Sequence, residues 1–200
     1  MTPIEGILLA AGESRRMGYP KPLLRLNSHT YIESAALGML DSVARLIIVV
    51  GAHAERVRAA IPHDSRVSVV ENPQWRSGQL SSLQVGLAAI ARDATAAMVH
   101  LVDHPTVLRT TYLTLANEFA KSHSQVLIAR HRGRRGHPAI FARAIFDELA
   151  LAPVDRGARA VIDADPSRVA YLDVDDPGVS LDLDTPADLA RAGLPPPPPT

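Results

Sequence analysis

The sequence holds no cysteine, which excludes disulfide bridges, thiolate zinc sites and a cysteine nucleophile. A reducing cytoplasm fits that absence. Aromatic residues are scarce, at 4% against 46% hydrophobic residues overall, so the core of this 200-residue chain must be aliphatic. Net charge is missing as well. The 21 basic side chains balance 21 acidic ones, which leaves no global field to attract nucleic acid or an acidic membrane. No stretch approaches the ~20 apolar residues of a membrane span. The amino-terminal MTPIEGILLAAG lacks the basic segment that precedes the apolar run of a signal peptide. Lysine is almost absent: Lys21 and Lys121 stand alone among arginines. Arginine-favouring codon use accounts for the bias, and a lysine kept against it calls for a closer look.

What is present is an alternation of short aliphatic runs with amphipathic segments. Ile4–Ala10, Leu46–Val50, Val67–Glu71, Ala97–Val102 and Gln125–Ala129 read as strands. Tyr31–Leu40, Ala54–Ile61, the segment from Gly78 through Ile90, and Leu108–Lys121 read as helices between them. Strands that are continuously apolar, separated by helices, predict a Rossmann-like three-layer αβα fold with a mostly parallel central sheet. Ligands of such sheets bind beyond the carboxyl ends of the strands. Those ends carry Gly12, Gly51, Glu71–Asn72 and Asp103. Beyond about residue 130 the pattern changes. Arg130–Gly136 reads as a mobile basic loop, Pro138–Phe141, Val169–Leu172 and Val179–Leu183 as strands, and Phe146–Leu151, Ala158–Ile162 and Pro186–Arg191 as helices. We expect one domain over residues 1–194, with a disordered proline tail at 195–200.

The first chemical motif is LAAGESRRMGYPKPLL, residues 9–24. A strand runs into a turn of small residues, where Ala10, Ala11 and Gly12 let backbone N–H groups approach an anion. Arg15, Arg16 and Lys21 follow, enough positive charge to neutralise a triphosphate. An ordinary glycine turn with surface arginines is the bland alternative. The pattern is neither GxGxxG nor the Walker motif. Asp103 closes an apolar strand ahead of Pro105, so its carboxylate projects from the sheet edge as a metal ligand or as a helix N-cap. Asp182 and Asp184 alternate with Leu181 and Leu183, which would put both on one strand face. Asp184-Thr185-Pro186 is also a helix-start signal, which makes Asp182 the better candidate for metal. The eight histidines show no metal-binding spacing.

LAAGESRRMGYPKPLL closely resembles the signature LAAGxSxRMGxxKxLL of the molybdenum cofactor nucleotidyltransferases, MobA- and MocA-like NTP transferases. The resemblance continues in order along residues 4–190. NPQWRSGQLSSL (72–83) is similar to NPxWxxGMxxSL, and LVDHP (101–105) to LxDxP. GRRGHP (133–138) is similar to GxxGHP, DRGAR (155–159) to DxGAR, and LDLDTPADL (181–189) to DIDTPEDL. Gln79, His104 and Val154 depart from the residues usual at their positions.

The resemblance implies a nucleotide-binding half at about 1–130 and an acceptor-binding half at 131–194. It implies Arg16, Lys21 and Asp103 as catalytic residues, with Arg15 auxiliary. Leu9, Ala10, Ala11, Gly12, Arg15, Lys21, Asn72, Gly78, Ser81 and Ser82 would bind the nucleotide. Asp103 and Asp182 would hold Mg²⁺, and His137 and Arg159 would face the acceptor. The expected partners are a nucleoside triphosphate, a molybdopterin-type acceptor and a client molybdoenzyme, with neither nucleic acid nor membrane. LAAG, where the guanylyl branch has LAGG, favours CTP as donor. A sugar-phosphate nucleotidyltransferase and a non-catalytic cofactor-carrying chaperone are the competing readings.

Overall fold

The computed structural model describes residues 3–154 and 156–199. Among the described residues are nine strands and seven α-helices. β1 (Ile4–Ala10), β4 (Leu46–Val50), β5 (Val67–Glu71) and β6 (Ala96–Leu101) are the apolar runs of the amino-terminal half. β7 (Val126–His131), β8 (Arg134–Ala142) and β9 (Val169–Asp173) complete a seven-stranded sheet of order β5-β4-β1-β6-β8-β7-β9. Only β8 runs antiparallel to its neighbours. β2 (Arg25–Leu26) and β3 (His29–Thr30) form a separate short ribbon.

Both faces of the sheet are covered, which is why its strands are continuously apolar. On β1, Leu8 and Ala10 enter one core and Ile7 and Leu9 the other, which Ala11 just beyond the strand also joins. The first core takes in α1 (Tyr31–Leu40), α2 (Ala54–Arg58), α4 (Arg109–Lys121) and α7 (Pro186–Arg191). The second takes in α3 (Gln79–Ala88), α5 (Phe146–Ala150) and α6 (Arg159–Ala164). This is the expected three-layer αβα fold with a mostly parallel sheet. α1 starts at a capping box, in which Thr30 accepts from the Glu33 N–H and Glu33 accepts from the Thr30 N–H. No helix among the described residues is long and apolar enough to cross a membrane.

Three local expectations are corrected. Arg130–Gly136 is not a mobile loop. It is the tip of the β7–β8 hairpin, in which His131 registers with Arg134 and Arg132 and Gly133 take positive φ of 48° and 79°. A two-residue turn of that hand matches the twist of paired strands, and glycine at its second position makes it accessible. His137 therefore sits within a strand, not on a flexible loop. Val179–Leu183 is not a strand. Pro177–Ser180 forms a 3₁₀ turn, started by the Asp176 side chain accepting from the Gly178 N–H. The helix expected over Ala54–Ile61 ends at Arg58, four residues ahead of Pro62. Residues 195–199 carry no helix or strand.

Candidate active site

The site lies at the carboxyl ends of β1 and β6, and each side chain reaches it for a local reason. β1 ends at Ala10, and Ser14 then takes φ of 60°. Its hydroxyl accepts from the Lys21 backbone N–H at 3.0 Å, which folds Lys21 back over the loop. Gly12 keeps a negative φ, and a Cβ added there would meet no protein atom within 4 Å. Neither backbone conformation nor protein contact demands glycine at that point. Its missing side chain leaves space only on the cavity side. Gly51 has the opposite reason. A Cβ there would collide with the Ala11 carbonyl and Trp75 Cβ, so glycine lets the end of β4 pass between those two loops.

The carboxylates arrive from two distant segments. Asp103 follows β6. Residues 177–184 are clamped beside it because Gly178 and Gly136 leave no room for a Cβ, against the Thr106 backbone and the Val179 carbonyl respectively. The fully buried Val179 and Leu183 anchor the same segment. The Leu183 N–H donates to the Asp103 carbonyl at 3.0 Å, so the two residues flanking Leu183, Asp182 and Asp184, are brought to Asp103.

Lys21 Nζ donates to Asp103 Oδ2 at 2.9 Å and to Asp184 Oδ1 at 2.6 Å, 82 and 163 positions away in sequence. Arg16 also pairs with Asp184, while most of its side chain stays exposed. Burial works against the charge on Lys21, but Asp103 and Asp184 outweigh it and hold the ammonium pKa above its ordinary value. Burial likewise works against charge on Asp103, and the adjacent Lys21 overcomes it and keeps that pKa low. Asp182 is pushed the other way, upward, by desolvation and by the neighbouring Asp103 and Asp184 carboxylates. A positive ion near Asp182 would relieve that repulsion.

Asp103, His104 and Asp182 each offer a donor atom, and these atoms all lie within 4.8 Å of one another. Asp103 Oδ1 is buried and has no hydrogen-bond partner among the described residues. An orphaned carboxylate oxygen, a second carboxylate and an imidazole together suit a divalent cation.

Two cavities meet here. One of about 630 Å³ is lined by Leu9–Arg15, Lys21, Trp75, Gly78, Ser82 and Asp103. The other, of about 490 Å³, is lined by Arg134, Arg135, His137, Arg156, Arg159 and Asp182 over an apolar floor. They share Leu9, Gln79 and Leu101.

Of the residues singled out in the sequence, Leu9, Ala10, Ala11, Gly12, Arg15, Lys21, Gly78, Ser82 and Asp103 line the first cavity. His137, Arg159 and Asp182 line the second. Asn72 and Ser81 are not on either wall. Asn72 donates to Ser81 Oγ and Ser82 Oγ, both at 2.9 Å, and accepts from the Gln74 N–H, a buried network that braces the loop carrying Trp75. Asp184, read from the sequence chiefly as a helix cap, is the common partner of Lys21 and Arg16; Thr185 is the cap of α7. Sequence reasoning missed Ser14 and Gln79 as parts of the site. Ser14 was visible as the serine of the glycine motif, but nothing marked Gln79 as a wall common to both cavities.

Residues 6–169 match the MobA-like NTP transferase domain family. The chain is 33% identical over 190 residues to nicotine blue oxidoreductase of Paenarthrobacter nicotinovorans, covering 91% of this chain and 92% of that protein. It is 24% identical over 193 residues to the molybdenum cofactor cytidylyltransferase of Escherichia coli K12, covering 96% of each. The crystal structure of Rv0371c from Mycobacterium tuberculosis H37Rv is 33% identical and superimposes with a TM-score of 0.82 over 95% of this chain and 96% of that one. A complex of the same protein with manganese is also known, with a TM-score of 0.75 over 95% and 97% of the two chains at 32% identity. This chain belongs to the MobA-like NTP transferase family and is a nucleotidyltransferase.

Proposed function

We propose that the protein transfers a nucleoside monophosphate, CMP by preference, from the triphosphate to the phosphate of a molybdopterin-type acceptor, releasing pyrophosphate. The observation that carries this reading is the position of Lys21. Its ammonium bridges Asp103, on the wall of the first cavity, and Asp184. The cavity of Leu9–Arg15 and Gly78 takes the triphosphate. The cavity rimmed by Arg134, Arg135, Arg156 and Arg159 takes the acceptor, its apolar floor suiting a flat heterocycle and its guanidiniums a phosphate.

In the reaction, an oxygen of the acceptor phosphate forms a bond to the α-phosphorus. The bond from the α-phosphorus to the oxygen bridging to the β-phosphate breaks in line, and pyrophosphate leaves with that oxygen. Lys21 stays protonated and neutralises charge where it accumulates. Arg16 and Arg15 supply further positive charge at the loop, and the Ala10–Gly12 backbone lies against the phosphates. Asp103 and Asp182 would hold Mg²⁺, which would supply positive charge to the phosphoryl oxygens. The existence of a manganese complex of Rv0371c supports the use of a divalent ion. His137 lies over the acceptor as a neutral imidazole, since burial and the nearby His104 lower its pKa to about 4.

The test is pyrophosphate release from each of the four triphosphates, with and without molybdopterin. Release from CTP that requires molybdopterin supports the proposal. Release from GTP instead reassigns the donor, and release with a sugar phosphate reassigns the acceptor. No release with any combination favours a carrier. The name of the relative from Paenarthrobacter adds one arm. Reduction of nicotine blue without pyrophosphate release would replace transfer with redox chemistry.

A further inference from the structure

His104 has no part in the transfer reading above, yet it follows Asp103 directly on the wall of the second cavity. It is buried, with 7% of its surface exposed, and it lines the acceptor cavity. Its backbone is fixed on both sides. The N–H donates to the Leu101 carbonyl at 3.2 Å, and its carbonyl lies 3.2 Å from Nε2 of the fully buried His100. The ring is oriented as well, because Nδ1 lies 3.4 Å from the Gly178 carbonyl. That carbonyl belongs to a turn whose glycine fits against Thr106 only without a Cβ. With its proton on Nδ1, His104 donates to Gly178 and leaves a lone pair on Nε2. A backbone carbonyl holding one ring nitrogen so that the other is free is the usual arrangement of a metal-ligating histidine.

The other donors converge on the same point. One ligand atom each from Asp103, His104 and Asp182 lie within 4.8 Å of one another. Donors 2.0–2.2 Å from a shared ion are separated by roughly 3 to 4.4 Å, so a small contraction closes the set. Asp103 Oδ1, buried and unpartnered, supplies an oxygen with no competing bond among the described residues.

We infer that His104 is a third protein ligand of the divalent cation held by Asp103 and Asp182, and that its nitrogen tilts the site towards Mn²⁺ over Mg²⁺. Mg²⁺ is hard and takes oxygen donors, whereas the more borderline Mn²⁺ accepts an imidazole with less penalty. The inference rests on the nucleotidyl-transfer reading for the purpose of the ion. Its test needs neither nucleotide nor turnover.

The probe is Mn²⁺ alone, titrated into the full-length protein and observed by pulsed electron paramagnetic resonance. The native protein is expected to show the ¹⁴N coupling of a directly bound imidazole. His104→Gln should lose that coupling and lower the ratio of Mn²⁺ to Mg²⁺ affinity by about tenfold. Asp182→Asn should weaken Mn²⁺ binding and keep the nitrogen signal, as should His137→Gln, which excludes the neighbouring imidazole as its source. Absence of the coupling in the native protein, its persistence in His104→Gln, or failure of Mn²⁺ to bind without nucleotide each overturns the inference. Those results leave pyrophosphate release by the native enzyme untouched, so failure here is separable from failure of the transfer reading.

Discussion

The cavity assigned to the nucleotide and the cavity assigned to the acceptor share a wall, yet they are built by different means. The first includes a run of backbone and small residues, Ala10, Ala11 and Gly12 at the end of a buried strand and Gly78 ahead of α3, beside larger side chains such as Lys21 and Trp75. Its shape is set by the sheet. The second owes its polar rim to long side chains, Arg134 and Arg135 from a hairpin tip and Arg156 and Arg159 from the segment entering α6. Backbone N–H groups carry their direction with the fold, so they suit a ligand part that never changes. Arginines on a hairpin and a helix start can be exchanged one at a time without moving the sheet. At the seam between the two halves of the chain, Lys21 is held by one carboxylate from each, Asp103 and Asp184.

Several substitutions break or sharpen that contrast. The seam is the most sensitive point. Asp103→Ala should abolish metal-dependent turnover, with a loss of about 10³-fold, and leave the circular dichroism spectrum unchanged. Normal turnover would remove Asp103 from the mechanism. Lys21→Ala should lower kcat by about 10²-fold, with a far smaller change in nucleotide affinity by equilibrium titration. An effect confined to affinity would make Lys21 a binding residue.

Away from the seam, the two cavities should respond separately. Gly12→Ala meets no protein atom within 4 Å, so its melting temperature should match the native value. Nucleotide should nevertheless bind about tenfold more weakly, the consequence of roughly 1.4 kcal/mol of crowding. Arg159→Ala should raise the acceptor KM by about tenfold, the weight of one charged hydrogen bond, and leave triphosphate binding alone. Crossed effects, Gly12 on the acceptor or Arg159 on the nucleotide, would erase the assignment of one cavity to each substrate.

The smallest effect is on stability against pH. Burial, then the neighbouring His104, lowers the His137 pKa to about 4 from an ordinary 6.5. Between those values the unfolded chain binds more protons than the folded one, so stability is full above about pH 6.5 and falls towards pH 4. The fully buried His100, lowered first by burial and then by its histidine neighbours, acts in the same direction. His137→Gln should make the slope shallower in denaturant titrations across that range. An unchanged slope would put the whole effect on other groups.

Some of this was legible because it is local. The limits of β1, α1, β4, β5 and α7 follow from apolar runs and caps, and each matches its sequence expectation residue for residue. The glycine motif placed Gly12 and Lys21 on one loop. The sequence misled where a local pattern had two solutions. Leu181 and Leu183 alternating with aspartates look like a strand, but Val179 and Leu183 are buried through a 3₁₀ turn and an extended link instead. RHRGRR looks like a loop by composition and is a paired hairpin because its neighbours can register. Asn72 and Ser81 have the polarity of ligand-binding residues, and their groups are spent on one another.

By itself, then, the order of apolar runs determined a covered parallel sheet, and the spacing of glycine, arginine and lysine after β1 determined a basic loop at the carboxyl end of that strand. These depend on interactions between residues close in the chain and on the simple need to bury strands on both faces. Tertiary structure alone decided which partners each carboxylate meets. Asp184 meets Lys21 and Arg16, while Asp182 joins Asp103 and His104, because one backbone hydrogen bond, from Leu183 to Asp103, fixes the register between segments 80 residues apart. The helix-start signal at Asp184 already favoured Asp182 for metal, but nothing local marks Asp184 as the partner of Lys21 and Arg16 until the chain is folded.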